Sequence, residues 1–345
     1  MKAVFAIPGD KDRRTGGFIY EATVLRELNA LGHATQHMEL PDSFPDPTPE
    51  DMAETLAMLR GVPASCPLIL DGLVFGSIDP EGLATVRAPL IAMIHHPLGL
   101  ETGVDAARAQ VLLRNEAAAL QYAAHVIVPS PHTARILAHD FGVDPAKLTI
   151  AQPGFNRPAG ACAPADPPLI LSVGLLAPRK GHDILLDALA RIQDLPWQAE
   201  IVGRAHDMDT DRALAQQCER LGLSERVHFM GELAAARLDC RFRAASVFAL
   251  ATRYEGYGMV LSEAMLYGLP VVSCTVGAVP ETVGEAGVLV PAQDAGAFAD
   301  GLRRALRDRE KLGALSLDKS RSLPTWRQTA GHFITVLEAF ARQKR

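Results

Sequence analysis

Short apolar runs alternate along the chain with segments whose apolar residues recur every three or four positions. This is the pattern of βα units, which build parallel sheets with helices on both faces. Strands are predicted at Lys2 to Ile7, Pro67 to Leu70, Pro89 to Ile94, His125 to Val128 and Leu148 to Ala151. A second series is predicted at Leu169 to Val173, Ala199 to Val202, Val227 to Met230, Ser246 to Leu250, Pro270 to Ser273 and Gly287 to Val290. After the first strand, Thr15, Gly16 and Gly17 lead into a helix whose Val24, Leu25, Leu28 and Leu31 form one stripe, and Gly32 stops it. The pattern therefore runs twice, and each half is expected to be a doubly wound sheet. A last helix, Trp326 to Arg345, carries Phe333, Val336, Leu337 and Phe340 on one side and has to pack on something.

A length of 345 residues suits two domains of roughly 150 residues each. The stretch Pro158 to Pro168 has four prolines and no periodicity, which places a linker there and predicts domains at 1–160 and 161–325 with a terminal helix at 326–345. Proline-rich Pro41 to Pro49 reads as a surface loop, because strand and helix signals resume on both sides. With 48% hydrophobic and 21% charged residues, disordered, collagenous and coiled-coil classes are excluded. The formal net charge of −6, with its acidic excess in the first half, argues against a nucleic-acid partner, so any phosphate must be held locally. Cys66, Cys162, Cys218, Cys240 and Cys274 form no CxxC pair, which suits a reducing cytoplasm and rules out a zinc ribbon. No apolar run approaches the ~18 residues of a membrane span, and the N-terminal run is too short for a signal peptide.

The densest chemistry lies in Glu255-Gly256-Tyr257-Gly258-Met259-Val260-Leu261-Ser262-Glu263 and the residues that follow, to Val272. A loop with two glycines is expected to open a helix from about Tyr257 to Tyr267. The backbone amides at that start, with Gly256 and Gly258 admitting close approach, make an anion site. Glu263 falls on a stripe with Val260, Ala264 and Tyr267 of a helix that is apolar nearly all round. A buried carboxylate needs a partner: the vicinal hydroxyls of a ribose would serve, and so would an arginine of the same domain. Arg179 and Lys180 precede another helix start, where the helix dipole disfavours cations, so a function is expected to hold them there. His95 and His96 close a predicted strand before Pro97, either at a ligand site or as caps of a turn. In open α/β sheets ligands bind at the carboxyl ends of the strands, and two facing sheets would put those ends around one cleft.

The stretch from Arg253 through Pro270-Val271-Val272, with its two glutamates eight positions apart, resembles the signature of retaining GT-B glycosyltransferases of glycosyltransferase family 4, the group 1 glycosyltransferases. The resemblance extends to Leu171 to Gly181, Ile201-Val202-Gly203, Val227 to Glu232, Val279-Pro280-Glu281, Gly287 to Pro291 and Trp326, and is weaker in the first half. It implies a GT-B architecture, α/β, with two Rossmann-like domains facing a central cleft and the C-terminal helix crossing back to the first. It also implies transfer of a hexosyl group from a nucleotide diphosphate sugar, UDP before GDP, to an acceptor hydroxyl, with retention, no metal and no cofactor. Glu255 would hold donor-sugar hydroxyls near the reacting centre and Glu263 the ribose. Gly256, Tyr257, Gly258, Met259 and Val260 would meet the diphosphate, whose growing charge Arg179 and Lys180 would neutralise. Gly231, Glu232 and Gly17 would line the donor site. His95 would touch the donor sugar or the acceptor, with His96 and Gly16 on the acceptor side. The family's usual Gly-Arg is Gly174-Leu175 here, so one cationic clamp is absent from its place, and Arg179 is the expected substitute.

Two motifs are set aside. Asp207-Met208-Asp209 looks like a metal-binding Asp-x-Asp but precedes a helix that aspartate would cap. Lys11 to Arg14 is basic, but its half is acidic, which favours a loop over a membrane patch. The acceptor stays open among lipid, glycan and small molecule, as does a peripheral place at the inner membrane face, and either a monomer or a homodimer is compatible. A phosphorylase or an epimerase on the same fold fits less well, and a catalytically silent nucleotide-sugar-binding protein is the alternative from another class.

Overall fold

The computed structural model describes residues 2–101, 103–160 and 163–342. Cys162, residue 161 of the expected linker and residues 343–345 of the expected last helix lie outside them. The chain forms two compact units, one running to Phe155 and resuming at Pro324, the other spanning Asn156–Leu323.

Each unit is built on a parallel sheet that is six-stranded among the described residues. The first comprises β1 (Lys2–Pro8), β2 (Ala34–Leu40), β3 (Leu68–Asp71), β4 (Leu90–Met93), β5 (His125–Val128) and β6 (Leu148–Ile150), in the order β2-β1-β3-β4-β5-β6. The second comprises β7 (Leu169–Val173), β8 (Gln198–Val202), β9 (Val227–Gly231), β10 (Ala245–Leu250), β11 (Val271–Cys274) and β12 (Gly287–Val290), in the order β12-β11-β10-β7-β8-β9. Central strands such as β3, β4 and β10 are buried at every position, as expected where helices cover both faces. Strand β2 is absent from the sequence prediction. It is an edge strand, Ala-Thr-Gln-His-Met-Glu-Leu, with only Thr35 and Leu40 buried, so it lacks the continuous apolar run that reveals its neighbours.

The last helix, Trp326–Arg342, packs in the first unit against the helix Gly16–Ala30. Tyr20 sits between Trp326 and Phe333, with ring centroids 5.7 and 6.2 Å away, and its hydroxyl donates to the Ala151 carbonyl at 2.8 Å. The unit boundary falls at Phe155 rather than at residue 160, because the chain up to Phe155 is sewn to this helix: the Phe155 N–H donates to the Pro324 carbonyl at 2.8 Å. A Cβ at Gly154 would lie 2.2 Å from the Trp326 nitrogen, so only glycine lets the two segments meet. The second unit closes around Trp197 and Phe298, both buried. No helix among the described residues is long and apolar enough to cross a membrane.

Candidate functional site

In the second sheet the chain runs from β7 through β8 to β9, then returns to the other side of β7 with β10. The topological switch thus lies between β7 and β10, and the loops leaving their carboxyl ends diverge there, opening a ligand crevice. Arg179 and Lys180 occupy a short 3-10 turn, Pro178–Lys180, in the first loop, and Glu255 stands in the second. The loops are tied by backbone: the Arg253 N–H donates to the Arg179 carbonyl at 2.8 Å.

Lys180 Nζ donates to Glu255 Oε1 at 2.6 Å, and an Arg179 guanidinium nitrogen stands 3.7 Å from Oε2 while donating to the Tyr254 carbonyl at 3.2 Å. Thr252 Oγ1 lies 3.0 Å from Glu255 Oε1. Burial of Glu255, 5% exposed, would raise its pKa, but the charges of Lys180 and Arg179 and the bonds from Lys180 and Thr252 outweigh burial and hold it below the ordinary value. The cations predicted for a diphosphate are therefore held together by the carboxylate predicted for the sugar. Gly277 backs the arrangement: its φ is +51°, a Cβ there would lie 2.3 Å from the Glu255 carbonyl oxygen, and the Ala278 N–H donates to that oxygen at 2.9 Å.

The helix after Glu255 is Met259–Leu266, shorter than predicted, because Gly258 at φ +84° is its N-cap. Tyr257 lies outside it with its ring buried; Ser262 Oγ stands 3.4 Å from its hydroxyl and Thr282 donates to its carbonyl at 2.7 Å. Its side chain thus fixes the loop, and the amides of the first helical turn, Met259 and Val260 among them, start the helix without intrahelical acceptors. Glu263 is half-buried, and its carboxylate makes no hydrogen bond or ion pair with a described residue, which removes the arginine alternative. Burial pushes it up to about 7. Gly231 ends β9 at φ +62°, with exposed Glu232 next; both stand at the same end of the sheet as Lys180 and Glu255, two strands from β7. Leu175 is half-buried in the first loop.

The first unit also places its candidates at strand carboxyl ends, around the switch between β1 and β3. Gly16 and Gly17 open the helix after β1, and a Cβ at Gly17 would lie 3.3 Å from the His95 ring. His95 Nε2 stands 3.2 Å from Glu21 Oε1, and Asp71 completes the group from the end of β3. Glu21 and Asp71 are 1% and 4% exposed, and one ligand atom from each of the three residues lies within 4.8 Å of the others. Such buried negative charge has to be neutralised by a proton or a cation. Burial pushes Glu21 up to about 8, while Asp71 is raised by burial and by Glu21, and burial lowers His95. Neither carboxylate is singled out by the sequence reading, although Glu21 falls on the helix stripe of Val24, Leu25 and Leu28. His96 turns to Glu101, 2.5 Å away.

Glu116, fully buried on the helix Ala106–Leu120, accepts the Leu98 N–H at 3.1 Å and so pins the turn that follows the histidines. Burial pushes it up to about 8. An acid raised in the folded state stabilises the fold fully below its unfolded value, and that stability is lost as pH rises toward the folded one. Glu116→Gln is therefore expected to flatten the fall in stability between about pH 4.5 and 8, a fall whose slope approaches about 1.4 kcal/mol per pH unit within the window. Urea midpoints at the two ends check this; an unchanged slope would show that Glu116 ionises normally. Asp207, by contrast, does what the sequence predicts of it and caps the helix Met208–Arg220, accepting the Thr210 N–H at 2.7 Å.

Residues 167–308 match the family Glycosyl transferases group 1, and residues 76–157 match Glycosyltransferase Family 4. A curated relative, D-inositol 3-phosphate glycosyltransferase of Geodermatophilus obscurus, is 29% identical over 231 residues, 61% of this chain and 51% of that protein; the match spans about half that relative's length. Among solved structures, a sucrose-phosphate synthase of Thermosynechococcus elongatus superposes with a TM-score of 0.81 at 23% identity, covering 98% of both chains. HepE of Anabaena in complex with UDP and glucose gives 0.76 at 20% identity, covering 98% of this chain and 100% of that one. These likenesses establish the GT-B fold.

Proposed function

Because the chain belongs to the group 1 glycosyltransferases, we propose that it moves a hexosyl group from a nucleotide diphosphate sugar to an acceptor hydroxyl with retained configuration. The observation that carries this is the Lys180–Glu255 pair, 2.6 Å long, at the switch between β7 and β10. As the glycosidic bond breaks, negative charge grows on the leaving diphosphate. Lys180, Arg179 and the amides opening the helix Met259–Leu266 stabilise that charge more in the transition state than before it. Glu255 orients Lys180 and accepts from donor-sugar hydroxyls, and Glu263 accepts from the ribose diol. The reading takes no metal: Lys180, Arg179 and the helix-start amides meet the diphosphate, with Glu255 offsetting one of the two positive charges.

A uridine donor is the first choice, supported by the UDP held in the Anabaena neighbour, with guanosine second. His95 meets a hydroxyl of donor or acceptor, with the acceptor a lipid, glycan or small molecule. Calorimetric titration with UDP and with GDP tests the reading, repeated on Glu263→Ala. One nucleotide is expected to bind selectively and to weaken ~30-fold in the variant, as loss of a charged hydrogen bond of about 2 kcal/mol implies. Binding of neither nucleotide to folded protein would overturn the donor site.

A further inference from the structure

The group Glu21, Asp71 and His95 holds more buried charge than packing requires, and it is assembled by topology: the helix after β1, the end of β3 and the residues after β4 meet because β1, β3 and β4 are adjacent. The titratable groups facing the His95 ring are Glu21 and Tyr20 from the helix Gly16–Ala30 and Asp71 from β3, with Tyr20 packed edge-on, ring centroids 5.4 Å apart. Neighbouring His96 is engaged with Glu101. The bonds have a direction. Asp71 Oδ1 accepts the Leu73 N–H at 2.8 Å, but burial and Glu21 outweigh that bond and raise Asp71 well above the ordinary value. Glu21 Oε1 faces His95 Nε2, whereas buried Glu21 Oε2 has no hydrogen-bond partner. Glu21 and Asp71 also stand close enough to hydrogen-bond each other; two buried carboxylates repel when both are ionised, and one proton between them turns the repulsion into a hydrogen bond. A cation held by the three side chains would be the other way to balance that charge, and metal analysis of the purified chain separates the two.

We propose that Glu21 is a positioning residue for His95: it shares one proton with Asp71, and its Oε1 accepts the His95 Nε2–H, leaving Nδ1 as the acceptor the ring offers to a substrate hydroxyl. The two carboxyls titrate as a pair and keep one proton at neutral pH, and the imidazole stays uncharged. What His95 touches rests on the sugar-transfer reading; its tautomer does not.

The discriminating variant is Glu21→Gln, whose amide donates permanently to Asp71 and whose carbonyl still accepts from Nε2. Histidine 15N resonances of the full chain, followed from pH 5.5 to 8.5, are expected to show His95 neutral and protonated on Nε2 in the native protein and in Glu21→Gln. In Glu21→Ala the tautomers should mix and the ring should titrate nearer its ordinary value. Donor turnover, kcat/KM, is expected to fall about tenfold in Glu21→Ala and to stay within about threefold in Glu21→Gln, which should also lose the native decline of activity above about pH 8. An imidazolium or an Nδ1–H tautomer in the native protein at pH 7 would overturn the proposal. So would Glu21→Gln as damaging as Glu21→Ala, or one equivalent of metal in the purified chain. The resonances need no turnover, so a chain that shows the tautomer but transfers no sugar keeps this inference and loses only the proposed function.

Discussion

Replacing Lys180 by alanine is expected to lower donor turnover by about 10²- to 10³-fold, the range measured when one preorganised donor to a developing charge is removed. The loss should fall on kcat more than on KM, because the ammonium's pull grows as the diphosphate leaves. The same substitution carries a stability signature that a purely catalytic effect would not. With Lys180 present, Glu255 is held below the ordinary carboxylate value, so it contributes stability above its unfolded pKa, and that stability is lost as pH falls through the folded one. Without Lys180, Arg179 at 3.7 Å is the remaining cation, burial wins, and the folded pKa rises. The sign then reverses, and stability is lost as pH rises. Lys180→Ala should therefore be destabilised by on the order of 2–4 kcal/mol at pH 8 and by less at pH 5. Steady-state kinetics with urea melts at both pH values decide it; equal destabilisation at both, or an unchanged kcat, would remove Lys180 from the site.

The sequence shows one half of this site and hides the other for a physical reason. All six strands of the second sheet are read from it: the inner four because strands covered on both faces need continuous apolar runs, and the edge strands β9 and β12 because Val-His-Phe-Met and Gly-Val-Leu-Val stay largely apolar in sequence although they are only partly buried. Lys180 and Glu255 are likewise visible, as polar residues beside glycines at predicted strand ends. What periodicity cannot supply is strand order. Only the adjacency of β7 and β10 turns two loops 75 residues apart into an ion pair. The first unit shows the same limit more sharply. Glu21 and Asp71 carry no mark of a site in the sequence until β3 is seen between β1 and β4. The one available signal was Glu21 on the stripe of Val24, Leu25 and Leu28, the logic that did single out Glu263.

Gly181→Ala is expected to cost about 3–5 kcal/mol and most of the donor turnover together. Gly181 follows Lys180 with φ +65°, where any side chain is strained, and a Cβ there would lie 2.0 Å from the Ala251 carbonyl oxygen. The left-handed conformation alone costs an alanine roughly 1–2 kcal/mol. The rest comes from backbone that has to move, since no side chain at the contact can swing away. What moves is the seam of the site: Ala251 leads directly to Thr252 and Arg253, whose bonds to the Arg179 carbonyl, 3.1 and 2.8 Å long, bind the Lys180 loop to the Glu255 loop. Gly222 supplies the control. Its φ is +66° but nothing lies within 4 Å of where its Cβ would be, so Gly222→Ala should show the conformational cost alone and leave turnover unchanged. The difference between the two variants in urea melts isolates the close approach. If they were equally destabilised, the contact between the loops would carry no energy, and the pairing of Lys180 with Glu255 would depend on their side chains alone.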